Sequence, residues 1–248
     1  MKKAIEKPNL PANIVDTCAV GEIFEQVIAA LEERRVSVLS LTMDKRLSYT
    51  VCHHADMLIC HVYAEQVICG SKANMALIES IGLKALPARK VPQPKYPSDV
   101  HLNQLIVGRF AAGRQDTCDP FVLEMLGQQK INYIDINQGY ARCSAAVVTE
   151  KAIITADYAV AKAAKRADLD VLVIRPGYIE LPDYEYGFIG GTCGLIAPDR
   201  MVFTGDIMRH PDGKSIVDFL RKHHVVPDCL NNNILFDIGG ILPLMEKH

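Results

Sequence analysis

The apolar positions of this chain repeat with a period of roughly 45–50 residues. In each repeat a short apolar strand leads through a turn into a stretch whose apolar residues recur every three or four positions, and a β-branched strand follows. The recurrence at three or four positions is typical of an amphipathic helix that buries one face. The predicted helices lie near 21–35, near 73–81, from Asp119-Pro120 onward, near 157–167 and near 211–223.

Four of the five repeats begin with one more apolar strand, which a hairpin joins to the rest of the repeat. These leading strands are predicted at 57–63, 100–107, 145–148 and 189–196. The repeating unit is therefore ββαβ. The first repeat lacks a leading strand, whereas the apolar C-terminal segment 234–242 has no helix after it.

The unmatched C-terminal strand indicates how the five units are arranged. If the units form a ring, this strand takes the missing place in the first unit and leaves no exposed sheet edge there. The alternative is an ordinary doubly wound α/β sheet, in which strands and helices also alternate. The hairpin before each later helix favours the ring, as does the lack of a GxGxxG or GxxxxGK[ST] motif at any helix start.

Composition narrows the class of protein. The chain has 248 residues, of which 49% are hydrophobic and 23% charged, as in an ordinary globular protein, and we expect one domain over 1–248. A net charge of -2 without a basic stripe gives no support for binding nucleic acid, and no apolar run is long enough for a membrane helix. The eight cysteines form no CxxC pair and no secretion signal is visible, so we expect reduced thiols and a cytoplasmic location.

The leading strand of the third unit carries a polar face. Asp99, His101 and Asn103 alternate with Val100 and Leu102, so in a strand the three polar side chains point to one side. This pattern fits a strand that lines a wet pocket at the centre of a ring. A strand that faces solvent at a sheet edge would show the same pattern.

Two other units place polar residues in matching positions. His54 and Asp56 share a face in the second unit, and Asp237 occupies the corresponding place on the closing strand. A ring would bring Asp56, Asp99 and Asp237 towards one centre, where clustered carboxylates favour a bound cation. A guanidinium, an amine or a metal would each serve, but Cys60 and His61 point to opposite faces and no usual zinc spacing appears. We therefore predict neither a metal site nor a cofactor.

Several motifs resemble an uncharacterised bacterial family with the guanidine-modifying-enzyme fold, also called the pentein or amidinotransferase-like fold. The resemblance covers nearly the whole chain and is strongest over about 96–244. It implies a five-bladed α/β propeller with pseudo-fivefold symmetry and an axial pocket. The motifs that carry it are residues 138–144, 176–182, 186–191, 203–206, 210–212 and 237–239.

The same resemblance implies which reaction and which catalytic groups to look for. Hydrolysis of a guanidinium needs a thiolate, a histidine that relays protons and carboxylates that hold the cation. Active members of the superfamily resemble each other in having the cysteine on the closing strand, whereas residues 237–244 contain none here. Cys193 and Cys143, in the leading strands of the fifth and fourth units, are the substitutes, with His54 and His101 as catalytic partners. For both cysteines we favour the other interpretation, that they are small buried residues of tightly packed strands.

Two hypotheses follow. The protein either binds or modifies a guanidino or other cationic small molecule, with Asp56, Asp99, Asn103 and Asp237 as ligand-binding residues. In that case it is a hydrolase or transferase acting on guanidino C–N bonds, or a binder without activity. Alternatively it is a non-catalytic interaction protein of the same fold, since the closing strand lacks the usual cysteine. The sequence leaves the oligomeric state undetermined.

Overall fold

A computed structural model describes residues 2–248 and shows a mixed α/β architecture. Two short 3-10 helices cover Ile189–Thr192 and Ile207–Arg209. The strands are β1 Lys2–Ala4, β2 Val15–Gly21, β3 Ser37–Leu41, β4 Ile59–Tyr63, β5 Gln66–Cys69, β6 Lys84–Pro87, β7 Leu105–Val107, β8 Phe110–Gly113, β9 Asn132–Asp135, β10 Ala145–Thr149, β11 Ala152–Thr155, β12 Asp170–Val173, β13 Cys193–Ala197, β14 Arg200–Phe203, β15 Val226–Cys229 and β16 Leu242–Lys247. The helices are α1 Glu25–Glu33, α2 Ala55–Leu58, α3 Lys72–Ser80, α4 Pro120–Gln128, α5 Tyr158–Arg166 and α6 Gly213–Lys222.

The strands form five small sheets, four of which have the same topology. Their orders are β4-β5-β6, β7-β8-β9, β10-β11-β12 and β13-β14-β15. In each, the first pair is antiparallel and the second pair is parallel, with a helix in the connection between the parallel strands. The predicted ββαβ unit is therefore confirmed in all four.

The first sheet takes its leading strand from the other end of the chain. Strand β16 pairs antiparallel with β2, with Leu242 opposite Ala19, and the sheet order is β1-β16-β2-β3. The predicted pairing of the C-terminal strand with the first unit is confirmed. Its predicted bounds, 234–242, are wrong, because Gly239 and Gly240 adopt positive φ angles of 75° and 81° that interrupt an extended strand. The edge strand β1 was not predicted.

Buried apolar side chains join each sheet to the next. Four clusters lie between sheets that follow one another along the chain. The fifth cluster contains Val202 and Ile196 of the last sheet together with Val20 and Val15 of the first. No sheet has to bury its apolar surface alone, which is the expected reason for such small units to be stable together.

Three of the predicted helices start where local capping chemistry places them. The Asp119 carboxylate accepts a hydrogen bond from Phe121 N at 2.8 Å, and Pro120 occupies the first turn of α4. The Asp157 carboxylate likewise caps α5 through Val160 N at 2.8 Å. Ser71 caps α3. All five long helices fall within one to four residues of the predicted bounds, as fraying helix ends allow.

The leading strands begin later than predicted, except for β10. Residues 98–104 form turns and irregular chain before β7, and His54 precedes the short helix α2. Residues 189–192 form a 3-10 helix before β13. The period-two reading of 54–56 and 99–103 is therefore wrong, since neither segment is a strand.

None of the helices in residues 2–248 combines the length and the apolar character needed to span a bilayer.

Candidate functional site

The turns that precede the leading strands surround a cavity of about 210 Å³, called the thiol cavity below. Three predicted site residues line it, namely His54, Cys143 and Asp237. The rest of the lining is largely aromatic and apolar, with one further acidic side chain; it includes Met57, Tyr140, Tyr184, Glu185, Tyr186 and Phe188. The cavity thus combines a thiol, an imidazole and carboxylates with an aromatic wall.

The Cys143 thiol is held by two side chains from other units. Its Sγ donates a hydrogen bond to Asp56 Oδ2 at 2.8 Å and accepts one from Asn103 Nδ2 at 3.0 Å. Asn103 also fixes the turn that carries the thiol, because its Oδ1 accepts from Arg142 N at 2.9 Å and from Cys143 N at 3.3 Å. Cys143 lies in this turn and not in strand β10, contrary to the prediction.

Burial controls the protonation of this pair. Asp56 is 1% exposed, and burial raises the pKa of its carboxyl to about 7, which the nearby Arg142 charge opposes and the Asp237 charge reinforces. Burial and then the Asp56 charge raise the pKa of the Cys143 thiol well above its usual range. At neutral pH the protonated thiol is therefore the stable form, and a cation in the cavity would favour the thiolate.

Asp237 is fixed by backbone donors at the edge of the thiol cavity. Its Oδ2 accepts from Phe188 N at 2.8 Å and its Oδ1 from Gly239 N at 3.0 Å. A Cβ at residue 191 would lie 1.9 Å from Asp237 Oδ1, so Gly191 is needed for this close approach. His54 Nδ1 lies 3.7 Å from Asp237 Oδ1, and burial lowers the pKa of His54, which keeps the ring neutral and able to accept a proton.

Two other predicted residues lie away from the cavity wall. Asp99 Oδ2 accepts a hydrogen bond from the Tyr140 hydroxyl, so Asp99 reaches the cavity only through Tyr140. Burial raises the pKa of Asp99. His101 is 2% exposed, and within the described residues neither of its ring nitrogens has a hydrogen-bond partner. The structure therefore brings Asp56 and Asp237 to the thiol but does not bring Asp99 and His101 there.

Cys193 is in a different environment from Cys143. It is the first residue of β13, it is buried, and its Sγ donates to the Ile189 carbonyl at 3.3 Å. Burial raises its pKa to about 12. Cys193 does not line the thiol cavity and belongs to the apolar cluster between the fourth and fifth sheets.

Arg142 was missed as a site residue. Its guanidinium is buried, with Nε donating to Asn9 Oδ1 at 3.1 Å and Nη1 to the Gly190 carbonyl at 3.3 Å. Arg142 and Asp56 line a small hollow of about 20 Å³, which Cys143 does not reach. Arg142 and Tyr140 lie in the motif at 138–144, and Phe188 lies in the motif at 186–191. These motifs marked the residues as characteristic of the family but did not indicate what they do.

The structure offers no metal centre among the residues that it describes, since no three His, Cys, Asp or Glu side chains in 2–248 are grouped to hold an ion. The cavity also has no lysine or arginine among its described lining residues. An organic cation therefore fits its charge better than an anion does.

The sequence matches one family model over residues 19–242. The chain belongs to DUF6873, a family of unknown function. No curated protein sequence matches it.

Several solved structures are similar to this one in fold. SxtG, an amidinotransferase from Microseira wollei, is 11% identical with a TM-score of 0.57, and 91% of each chain is covered. Inosamine-phosphate amidinotransferase StrB1 from Streptomyces griseus is 11% identical with a TM-score of 0.56, over 92% of this chain and 91% of that one. DDAH from Pseudomonas aeruginosa, complexed with citrulline, is 10% identical with a TM-score of 0.52, over 88% and 92%. At such low identity the likeness shows an amidinotransferase-like fold alone.

Proposed function

We propose that this protein is a single-domain, five-bladed α/β propeller that binds a small guanidino cation in the thiol cavity and modifies it through Cys143. The observation that carries the proposal is that Cys143, His54 and Asp237 line one cavity whose described lining has no lysine or arginine. The repeated sheets and the cluster between the last and first sheets support the pseudo-fivefold ring. The amidinotransferase-like fold supports the ligand class.

Charge and shape both favour a planar organic cation. Asp237 and Glu185 supply negative charge at the cavity, and Asp56 adds to it when ionised. Tyr186 and Phe188 contribute aromatic surface, to which cations are attracted. Electrostatic attraction to the carboxylates is the larger contribution, because the ligand is partly desolvated in the cavity.

The proposed chemistry begins at the thiol. A bound guanidinium stabilises the thiolate, and the Cys143 proton passes to Asp56, the acceptor of its hydrogen bond. The sulfur forms a bond to the central guanidino carbon, one C–N bond breaks, and the departing amine takes up a proton. The product is an amidino group on Cys143, which water or another amine can remove without any change of oxidation state.

A second candidate is a non-catalytic interaction protein of the same fold. It is favoured by one observation, the lack of a cysteine in the segment that precedes β16. That segment instead uses Asp237, Gly239 and Gly240, whose contacts orient the site.

Thermal unfolding in the presence of arginine, agmatine and methylguanidine tests the proposal. We expect stabilisation by at least one of them, with affinity about two- to fivefold weaker for Glu185→Gln, which removes one exposed negative charge from the cavity wall. Asp218→Asn is the matched control, because Asp218 is exposed on α6 away from the site. Intact-mass detection of an amidino adduct that disappears in Cys143→Ser would support catalysis.

Two results would contradict these ideas in different ways. Failure of all three cations to stabilise the protein contradicts a guanidino site. Binding without any adduct or product contradicts the role of Cys143 and favours a binding protein.

We also propose a reducing compartment such as the cytoplasm, because all eight cysteines, each within the described residues, are free.

A further inference from the structure

A second cavity, of about 120 Å³, adjoins the thiol cavity and is called the side cavity below. The two cavities share His54, Leu181 and Asp237. Cys143 lines only the thiol cavity, whereas Phe24, Tyr49 and His53 are among the residues that line only the side cavity. His54 and Asp237 therefore form part of the wall of both cavities.

A hydrogen bond between two loops forms part of the wall of the side cavity. Thr50 Oγ1 donates to Asp183 Oδ2 at 2.9 Å, and both residues line the side cavity but not the thiol cavity. Leu181, from the same loop as Asp183, lines both cavities. The Thr50–Asp183 contact therefore forms part of the wall of the side cavity alone, whereas His54 lines both cavities.

The lining of the side cavity indicates what it would hold. Ile23, Phe24 and Phe236 give it an apolar wall, and Asp183 with Asp237 gives it negative charge. His53 is 8% exposed and lines the cavity, and its Nδ1 has no hydrogen-bond partner within the described residues. Like the thiol cavity, the side cavity has no lysine or arginine among its described lining residues. An amine with an apolar body matches this combination.

We propose that the side cavity binds a primary amine with an apolar body, at the same time as the thiol cavity holds its cation. The inference rests on the proposed function. It makes the reaction a transfer of the amidino group and not a hydrolysis. Attack by water needs no cavity lined by Phe24, Tyr49 and Phe236, whereas an organic acceptor does.

The transfer step balances without an oxidant or reductant. The bound ammonium group first releases one proton to solvent, and the resulting neutral nitrogen attacks the amidino carbon on Cys143 while His54 accepts a further proton from that nitrogen. The C–S bond then breaks, and the sulfur recovers this proton from His54. The products are the free Cys143 thiol and a new guanidinium that carries the substituent of the amine. Because burial lowers the pKa of His54, the ring is neutral before this step and one of its nitrogens is free to accept the proton.

Calorimetric titration with two short probes tests the second site. Methylguanidine is the probe for the thiol cavity and phenethylamine for the side cavity. We expect phenethylamine to bind wild-type protein that is already saturated with methylguanidine. Asp183→Asn should weaken phenethylamine about two- to fivefold, the effect of losing a partly exposed charge pair, and leave methylguanidine affinity unchanged. The asparagine oxygen can still accept from Thr50.

A steric variant with a matched control makes the test independent of charge. Ile23→Trp should obstruct the side cavity and reduce phenethylamine binding by tenfold or more. Ile234→Trp changes another exposed isoleucine, which lines a neighbouring groove and not the side cavity, and should leave it unchanged. Displacement of phenethylamine by methylguanidine, or equal amine affinity in all variants, would overturn the second site alone. Failure of methylguanidine to bind wild-type protein would contradict the proposed function itself.

Discussion

The segments before β10 and before β13 occupy corresponding places in successive units, yet they contribute opposite things to the site. The first, residues 139–144, supplies side chains, including Tyr140 and Cys143. The second, residues 189–192, supplies space, because Gly190 and Gly191 have no side chain. The comparison shows that repetition of a structural unit determines where a segment lies but not whether the segment contributes side chains to the site.

The two segments depend on each other. A Cβ at residue 190 would lie 2.3 Å from the Ala145 carbonyl oxygen and 2.6 Å from that of Cys143. Gly190 therefore lets the second segment pack directly on the turn that carries the thiol. Gly191 leaves room for the Asp237 carboxylate in the same way. The side chains of one segment can be placed accurately only because the other has none.

The largest expected effect concerns Asp56, the partner of the thiol in the first segment. Its pKa is raised to about 7 in the folded protein and is about 4 in the unfolded chain, so the folded state binds its proton more tightly. The stabilisation is complete below about pH 4 and is lost as pH rises through 7. Relative to Asp56→Asn, the free energy of unfolding of the wild type should fall by about 4 kcal/mol from pH 4 to pH 8.

Urea unfolding of both proteins at several pH values measures this difference. Asparagine can still accept a hydrogen bond from Cys143, so the variant should fold. Parallel stability curves for the two proteins would show that the carboxyl is not held protonated.

Substitution of the second segment should have the next largest effect. Gly190→Ala forces a methyl group against three backbone carbonyls and should lower the free energy of unfolding by about 3 kcal/mol. Gly127→Ala is the control, because no atom lies within 4 Å of a Cβ at this helical position. It should stabilise the protein by about 0.5–1 kcal/mol. Equal effects of the two substitutions in chemical denaturation would refute the close packing of the two segments.

The smallest expected effect on stability is the difference between serine substitutions of Cys193 and Cys143. Cys193→Ser places a hydroxyl in an apolar cluster and should cost about 1–2 kcal/mol of stability, although it can still donate to the Ile189 carbonyl. Cys143→Ser keeps polar partners in Asp56 and Asn103, so its cost should be below about 1 kcal/mol. Thermal unfolding measures both. The proposed chemistry requires that Cys143→Ser abolish the adduct and that Cys193→Ser retain it.

Local signals explain which parts of the fold were predictable. Asp119-Pro120 marked a helix start correctly, because capping depends on neighbouring residues only. The alternation at 99–103 failed, because a period of two occurs by chance in turns as well as in strands. As a result Asp99 and His101 were placed on a pocket wall that they do not form. His54 and Asp237 were identified despite errors in their local structure, since their positions in the repeat were correct.

The sequence by itself determined the ββαβ unit, its repetition and the return of the last strand to the first unit. These follow from periodicity along the chain and from the need of an apolar strand to pair at its edges. Only the tertiary structure decided that Cys143 and not Cys193 lines the cavity, and that Arg142 lies beside Asp56. Such choices depend on a few ångströms of packing between turns that are 40 or more residues apart, for which the linear pattern has no signal.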